Sequence, residues 1–249
     1  GHWTVVANDP LWYSRELVDI GWPTRYTAEE FGVNHKDFGN PETDGHGISM
    51  IAHWKIWVKA GRSVCWVEER WTYIVEAAYY IEWSLSNPEL SFSKDGVLYG
   101  ETEAAMSDFS MYCNVPCYIG LRMYADMAEA AGRIKQAERW RECAGRLMQA
   151  IEAKFILKDP VYGEIWIEEP WGGTISFFQD YYGKDVLGAL PEKWAEIYRN
   201  TYVRNKEIKT DEFFVTGGLG YMHCAFTQFA MLLDNMGDFT KWMKNLARL

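Results

Sequence analysis

Val64, Val67, Trp71, Ile74, Ala78, Ile81 and Leu85 recur at alternating intervals of three and four residues. This spacing lays one apolar stripe along a helix of 3.6 residues per turn. Asn87-Pro88 predicts its end, because a residue before proline is pushed out of the α region. A helix from Ile48 to Ala60 is expected before it, with Gly61 as the stop. Further on, Asn114 is a candidate cap with Pro116 in the first turn, and Leu121, Ala125 and Ala128 carry a stripe to Gly132. After a short turn, Ala137, Trp140, Ala144, Leu147, Ile151 and Phe155 repeat with the same period, so the two stretches predict an αα-hairpin. Residues 158–173 read as a long loop. Leu190-Pro-Glu-Lys-Trp194 opens another helix, residues 205–220 are loop, a helix is expected from Tyr221 to Met236, and Phe239 to Leu249 begins the last.

The pattern yields eight or nine helices and no convincing strand, which makes the fold class all-α, built of helical hairpins. Residues 1–45, rich in Trp, Pro, Gly and Asn, form an irregular lead-in with one helical candidate around Leu11 to Ile20. Residues 46–249 form a single α/α-hairpin domain. Short turns alternate with long loops, so the long loops are expected to gather on one face and carry the chemistry there.

Composition narrows the ligand. Hydrophobic residues make up 48% and charged residues 24% of the 249, which excludes disorder. The 13 Trp, 15 Tyr and 12 Phe fit carbohydrate best, since Trp and Tyr pair a large apolar face with a polar handle. A net charge of −10 without a basic run argues against nucleic acid and anionic membrane as partners. No apolar run is long enough to span a bilayer, and no signal peptide is read at the start; the compartment stays open. Five cysteines without a CxxC pair argue against structural disulfides and a zinc site. No HExxH or His-x3-His pattern supports a catalytic metal, no GxSxG elbow supports serine hydrolysis, and Gly217-Gly-Leu-Gly220 follows no strand, which argues against a dinucleotide. No cofactor is expected.

The densest acid-base stretch is Asp95-Gly-Val-Leu-Tyr-Gly-Glu-Thr-Glu-Ala-Ala-Met-Ser-Asp108. Its glycines suit tight turns, and Val97, Leu98 and Tyr99 can anchor it to a core, so that Glu101, Glu103 and Asp108 project from a held loop. Paired carboxylates in aromatic surroundings suit glycoside hydrolysis, which needs one acid kept protonated and one base kept ionised. A solvated acidic turn is the competing reading. Asp44-Gly-His-Gly47 supplies another carboxylate with an imidazole at a helix entry; Asp44 suits a base or a sugar-hydroxyl acceptor there, or a plain N-cap. His46 could donate to a substrate hydroxyl or carboxylate. Trp166 and Trp171, in a loop with Glu168 and Glu169, are sugar-platform candidates, whereas Trp71 falls on the apolar stripe.

Asp44-Gly-His-Gly-Ile-Ser-Met50 leading into a Trp-rich helix, Asp95-Gly-Val-Leu-Tyr-Gly-Glu101, Tyr112-Cys-Asn-Val-Pro-Cys-Tyr118, the hairpin beyond Gly132 and Gly217-Gly-Leu-Gly-Tyr221 together resemble the six-hairpin glycosidases. The resemblance implies an (α/α)6 toroid, incomplete in this chain because eight or nine helices cannot close a ring of twelve. It implies an inverting glycosidase with paired carboxylates and a substrate that includes uronic acid. Glu101 is then the first candidate for the acid, with Glu103 second and Asp44 as the partner. Residues two apart in an extended stretch point to opposite sides, so Glu101 and Glu103 do not serve one site equally. Substrate-binding candidates in these motifs are His46, Trp54, Tyr99, Asp108, Tyr112, Asn114 and Tyr221, with Asp108 competing as an N-cap. Two rivals stand beside this reading: a polysaccharide lyase using a Tyr (Tyr99, Tyr112 or Tyr118) or a His, and a non-catalytic helical-repeat scaffold or carbohydrate-binding protein, although no period near 34 residues is present.

Overall fold

The computed structural model describes residues 43–91, 93–99, 109, 111–166, 191–209 and 235–247, and these are mostly helical. They comprise α1 (Thr43–Lys59), α2 (Val64–Glu69), α3 (Trp71–Ser86), α4 (Pro88–Ser91), α5 (Met111–Ala130), α6 (Ile134–Phe155), β1 (Ile156–Asp159), β2 (Gly163–Trp166), α7 (Glu192–Lys209) and α8 (Met236–Leu246). The chain divides into two compact units, Gly1–Lys154 and Phe155–Leu249. Most of the lead-in and most of the helix expected from Tyr221 lie outside the described residues.

In the first unit, α1 stops where expected. Gly61 takes φ 71° and the Arg62 N–H reaches back to the Trp57 carbonyl, a glycine-dependent closure. The helix expected from Val64 to Leu85 is instead two: Arg70 leaves the helical region at φ −113° and separates α2 from α3. The αα-hairpin of α5 and α6 forms as the periodicity predicts. Gly132 turns it at φ 73°, and Arg141 of α6 pairs back to Asp126 and Glu129 of α5.

The order of contacts gives helix directions. Gly47 lies against Pro116 and Cys117, Met50 against Gly120, and His53 against Tyr124. Numbers rise together on both sides, so α1 and α5 run parallel. His46, early in α1, meets Ala77 and Tyr80 in the middle of α3, whereas His53, two turns on, meets Trp66 ahead of the start of α3, so α3 returns antiparallel. The core between these helices is apolar and closed, with Met50, Ile74, Ala77, Ile81, Ile119 and Tyr124 all fully buried. Glu82 of α3 and Arg139 of α6 pair at 2.8 Å at its edge.

In the second unit, residues 156–166 form an antiparallel hairpin with Ile156 opposite Trp166, where the sequence suggested loop from residue 158. Asp159 makes the turn, its carboxylate accepting the N–H groups of Val161 and Tyr162, and Gly163 takes φ 80°. Such an Asp and Gly pair flanked by Ile156, Leu157, Ile165 and Trp166 is a hairpin signal. The hairpin lies along α7: Trp166 packs edge-on to Trp194 at 5.2 Å, its backbone N–H donates to the Thr201 hydroxyl, and Arg204 pairs with Asp159. That packing carries α7 through Lys209, past the loop expected from residue 205. α8 begins at Met236, capped by Asn235, and its Asp238 accepts from Tyr202 and Lys206 of α7.

Gly47 and Gly145 make opposite predictions. A Cβ at Gly47 would sit 2.4 Å from the Cys117 backbone nitrogen, whereas one at Gly145 in α6 meets nothing within 4 Å. In urea unfolding, Gly47→Ala is expected to lose about 3 kcal/mol or more from overpacking, and Gly145→Ala to gain up to about 1 kcal/mol from helix propensity. Equal midpoints for the two variants would refute the close α1–α5 approach.

Candidate functional site

The stretch before Glu101 is held at the early turns of α1 and α5. Asp95 and Gly96 take φ 55° and 79°, and Lys94 and Val97 exchange both backbone hydrogen bonds across them. This tight turn is of the kind the Asp-Gly dipeptide favours. Leu98 follows, and both of its peptide groups are taken by one side chain: its N–H donates to Asn114 Oδ1 at 2.7 Å, and Asn114 Nδ2 donates to its carbonyl at 3.1 Å. Thr43 Oγ1 then donates to the Tyr99 carbonyl at 2.8 Å, and the Cys117 thiol donates to the Thr43 carbonyl at 3.3 Å. The Tyr99 ring meets Phe109 edge-on at 5.8 Å, so the residues on either side of segment 100–108 touch.

Beneath this junction the polar groups are buried. His46 is 1% exposed and its Nε2 lies 2.8 Å from the Ala77 carbonyl. A carbonyl only accepts, so Nε2 carries the proton. Burial pushes the imidazole down to about 4, the Ala77 hydrogen bond opposes this, and His53 adds to it. His46 is therefore neutral at pH 7, and that N–H is committed to α3. The Tyr80 ring lies tilted against it, 4.7 Å between centroids, with its phenol raised above the usual range by burial while Ser84 and Thr43 pull the other way. His53, two turns on, faces α5 instead: its Nδ1 is 2.7 Å from the Tyr124 hydroxyl, and burial, then Arg70, lower its pKa. Among the described residues, no group of three or more His, Cys, Asp or Glu is arranged to hold a metal. Among the same described residues, no helix is long and apolar enough to cross a membrane.

The sequence-predicted residues fall out unevenly. Asp44, His46, Tyr99, Tyr112 and Asn114 all belong to the segments that meet here. Asp44 lies within α1, which already includes Thr43, and so is not the N-cap expected before Ile48. Asn114 lies inside α5; it is no cap, and its amide grips Leu98. His46 acts as a lock between α1 and α3 and not as a surface donor. Trp54 is 6% exposed in the core of the first unit, and Trp166 is 1% exposed in the second, so neither ring has an open face for a sugar to stack on. Glu101, Glu103, Asp108, Trp171 and Tyr221 lie outside the described residues, as do the side chains of Asp44 and Tyr112. Thr43, Tyr80, Phe109 and Cys117 join the junction without any sequence signal. Their partners are far along the chain, and only Asp95-Gly96 was locally legible.

No family model, curated protein or solved structure matches this chain. The residues of the junction therefore carry the functional reading.

His46 also sets a pH dependence. Its folded pKa of about 4 lies below the unfolded value near 6.5. Above pH 6.5 both states are neutral and the full stability is present; as pH falls towards 4 the unfolded chain takes the proton first and stability is lost. The expected loss from this residue is about 3 kcal/mol. Unfolding free energies of the native protein and His46→Gln at pH 7 and pH 4.5 test it, because the glutamine keeps a donor but cannot titrate. An equal fall in both proteins would refute the assignment.

Proposed function

We propose that this chain is a glycoside hydrolase of the (α/α)6-toroid plan, cleaving an O-glycosidic bond in a uronic-acid-containing oligo- or polysaccharide. Glu101 is the general acid and Asp44 the general base. The observation that carries this reading is the Thr43–Tyr99 hydrogen bond at 2.8 Å. It ties the residue before Asp44 to the residue two before Glu101, so the two carboxylate-bearing stretches share one junction. Consecutive Cα atoms are about 3.8 Å apart, so this tie is compatible with the separation of about 6.5–9.5 Å between carboxyl groups at which an inverting pair works.

The helix directions support the same plan. In a toroid of αα-hairpins the first helices of successive hairpins run parallel and the second helices return, and α1, α3, α5 and α6 alternate in this sense. Parallel α1 and α5 direct their N-terminal dipole ends to the same side, which favours an ionised carboxylate there. Asp44, early in α1, is suited by that field to remain a base, while an acid must be kept neutral by desolvation. The neutral His46 under α1 adds no positive charge at pH 7.

A panel of neutral and uronic-acid oligosaccharides tests the proposal, with reducing ends followed together with the ultraviolet absorbance of unsaturated uronides. Reducing ends without absorbance are expected. Glu101→Gln and Asp44→Asn should each lower turnover about 10²–10⁴-fold while leaving the melting temperature near that of the native protein. Near-native turnover in Glu101→Gln would overturn its role as acid, rising absorbance would make the protein a lyase, and silence across the panel would leave a binding or scaffold role.

A further inference from the structure

We infer that Thr43 and Asn114 are positioning residues that clamp the backbone entering the carboxylate stretch; the catalytic half of this inference rests on the hydrolase reading above. Asn114 is fully buried inside α5, where asparagine is a poor helix former and a buried polar group is costly without partners. Its amide presents one donor and one acceptor in the geometry of a peptide group, and both meet Leu98. Neither leucine nor serine offers that pair at that reach. The side chain thus acts as a substitute strand edge for a single residue.

Thr43 repeats the device one residue later. It is also fully buried, its hydroxyl holds the Tyr99 carbonyl, and its own carbonyl takes the Cys117 thiol. The clamp is therefore itself tied to α5. Upstream, Asp95 pairs with Lys154 at 3.6 Å, and Gly96 lies so close to Ala150 that a Cβ would come within 2.9 Å. Downstream, Phe109 lies against Tyr99 and beneath the Lys154 ammonium at 4.9 Å. Fixed points thus flank Glu101 on both sides, and the nearest are the two hydrogen-bonded peptide groups of Leu98 and Tyr99. Helix packing alone does not need these bonds. They grip irregular backbone, three and two residues before the carboxylate.

A Glu-specific endoprotease reads the clamp without reference to activity, since Glu101 and Glu103 supply cleavage sites just beyond it. Thr43→Val keeps the shape and removes the hydroxyl; Thr43→Ser restores it; Asn114→Leu keeps the volume and removes the amide. Under native conditions, cleavage after Glu101 and Glu103 is expected to be about tenfold faster in Thr43→Val, the equivalent of one lost hydrogen bond, faster again in Asn114→Leu, and native in Thr43→Ser. Unchanged cleavage in Thr43→Val overturns the inference even if Asn114→Leu fails to fold. On the panel oligosaccharide cleaved fastest, Thr43→Val should lower kcat up to about 100-fold with KM unchanged, and move the alkaline limb of the kcat–pH profile; native kcat beside accelerated cleavage overturns the catalytic half. A native protein silent on the whole panel brings down the hydrolase reading, while the protease result still decides the clamp.

Discussion

The approach of α1 to α5 at Gly47 is the constraint on which the first unit depends. A side chain there would collide with the backbone of Pro116 and Cys117, so the helices meet main chain to main chain. Pro116 removes a backbone donor from the interior of α5, and glycine opposite it lets α1 come close to that turn. A second contact of the same kind, Met50 on Gly120, lies one turn further. Two small-residue contacts in register leave the helices no freedom to slide by a turn without steric conflict. That register then decides which residues stand beside Tyr99 and which beside Ala77.

Apolar packing makes the helices adhere, but buried hydrogen bonds select the arrangement. Met50, Ile74, Ile119 and Tyr124 fill the core and would tolerate small displacements. His46, Thr43 and Asn114 would not, because each is buried and each meets a particular backbone group on another segment. A displacement that breaks one of these leaves a desolvated donor or acceptor, which costs more than the net gain of the bond itself. Thr43 and Asn114 also hold the backbone that leads to Glu101. Stability and positioning thus share their hydrogen bonds, and the price of that economy is sensitivity to acid through His46.

The second unit applies a different rule. Its hairpin is too short to stand alone, and it is stabilised by lying on α7, with Trp166 against Trp194 and Tyr198. Arg204 and Asp159 fix the turn end, and Lys206, Tyr202 and Asp238 tie α8 to the far part of the same helix. Among the described residues of this unit, the aromatic side chains of Trp166, Trp194, Tyr198, Tyr202 and Trp242 are core material. Large aromatic side chains contribute heavily to burial wherever they fall, so composition alone does not separate platform from core.

Most of the described helices, the stops at Gly61 and Gly132, and the α5–α6 hairpin were legible from the sequence, because apolar period and turn chemistry act between residues three to five apart. The tight turn at Asp95-Gly96 was legible for the same reason. The break at Arg70, the early start of α1 and the extension of α7 were not, since packing overrides propensity at helix ends and within long periodic runs. The roles of the polar residues belonged wholly to tertiary structure. Asn114 reads locally as a cap and His46 as an exposed donor, yet their partners lie 16 and 31 residues away, and Thr43 meets its partner across 56. Burial changes what a donor, an acceptor or an imidazole does, and burial is set by which helices meet. The sequence by itself determined that this chain would make paired helices with an acidic stretch between them; only the meeting of α1 with α5 decided which side chains hold that stretch in place.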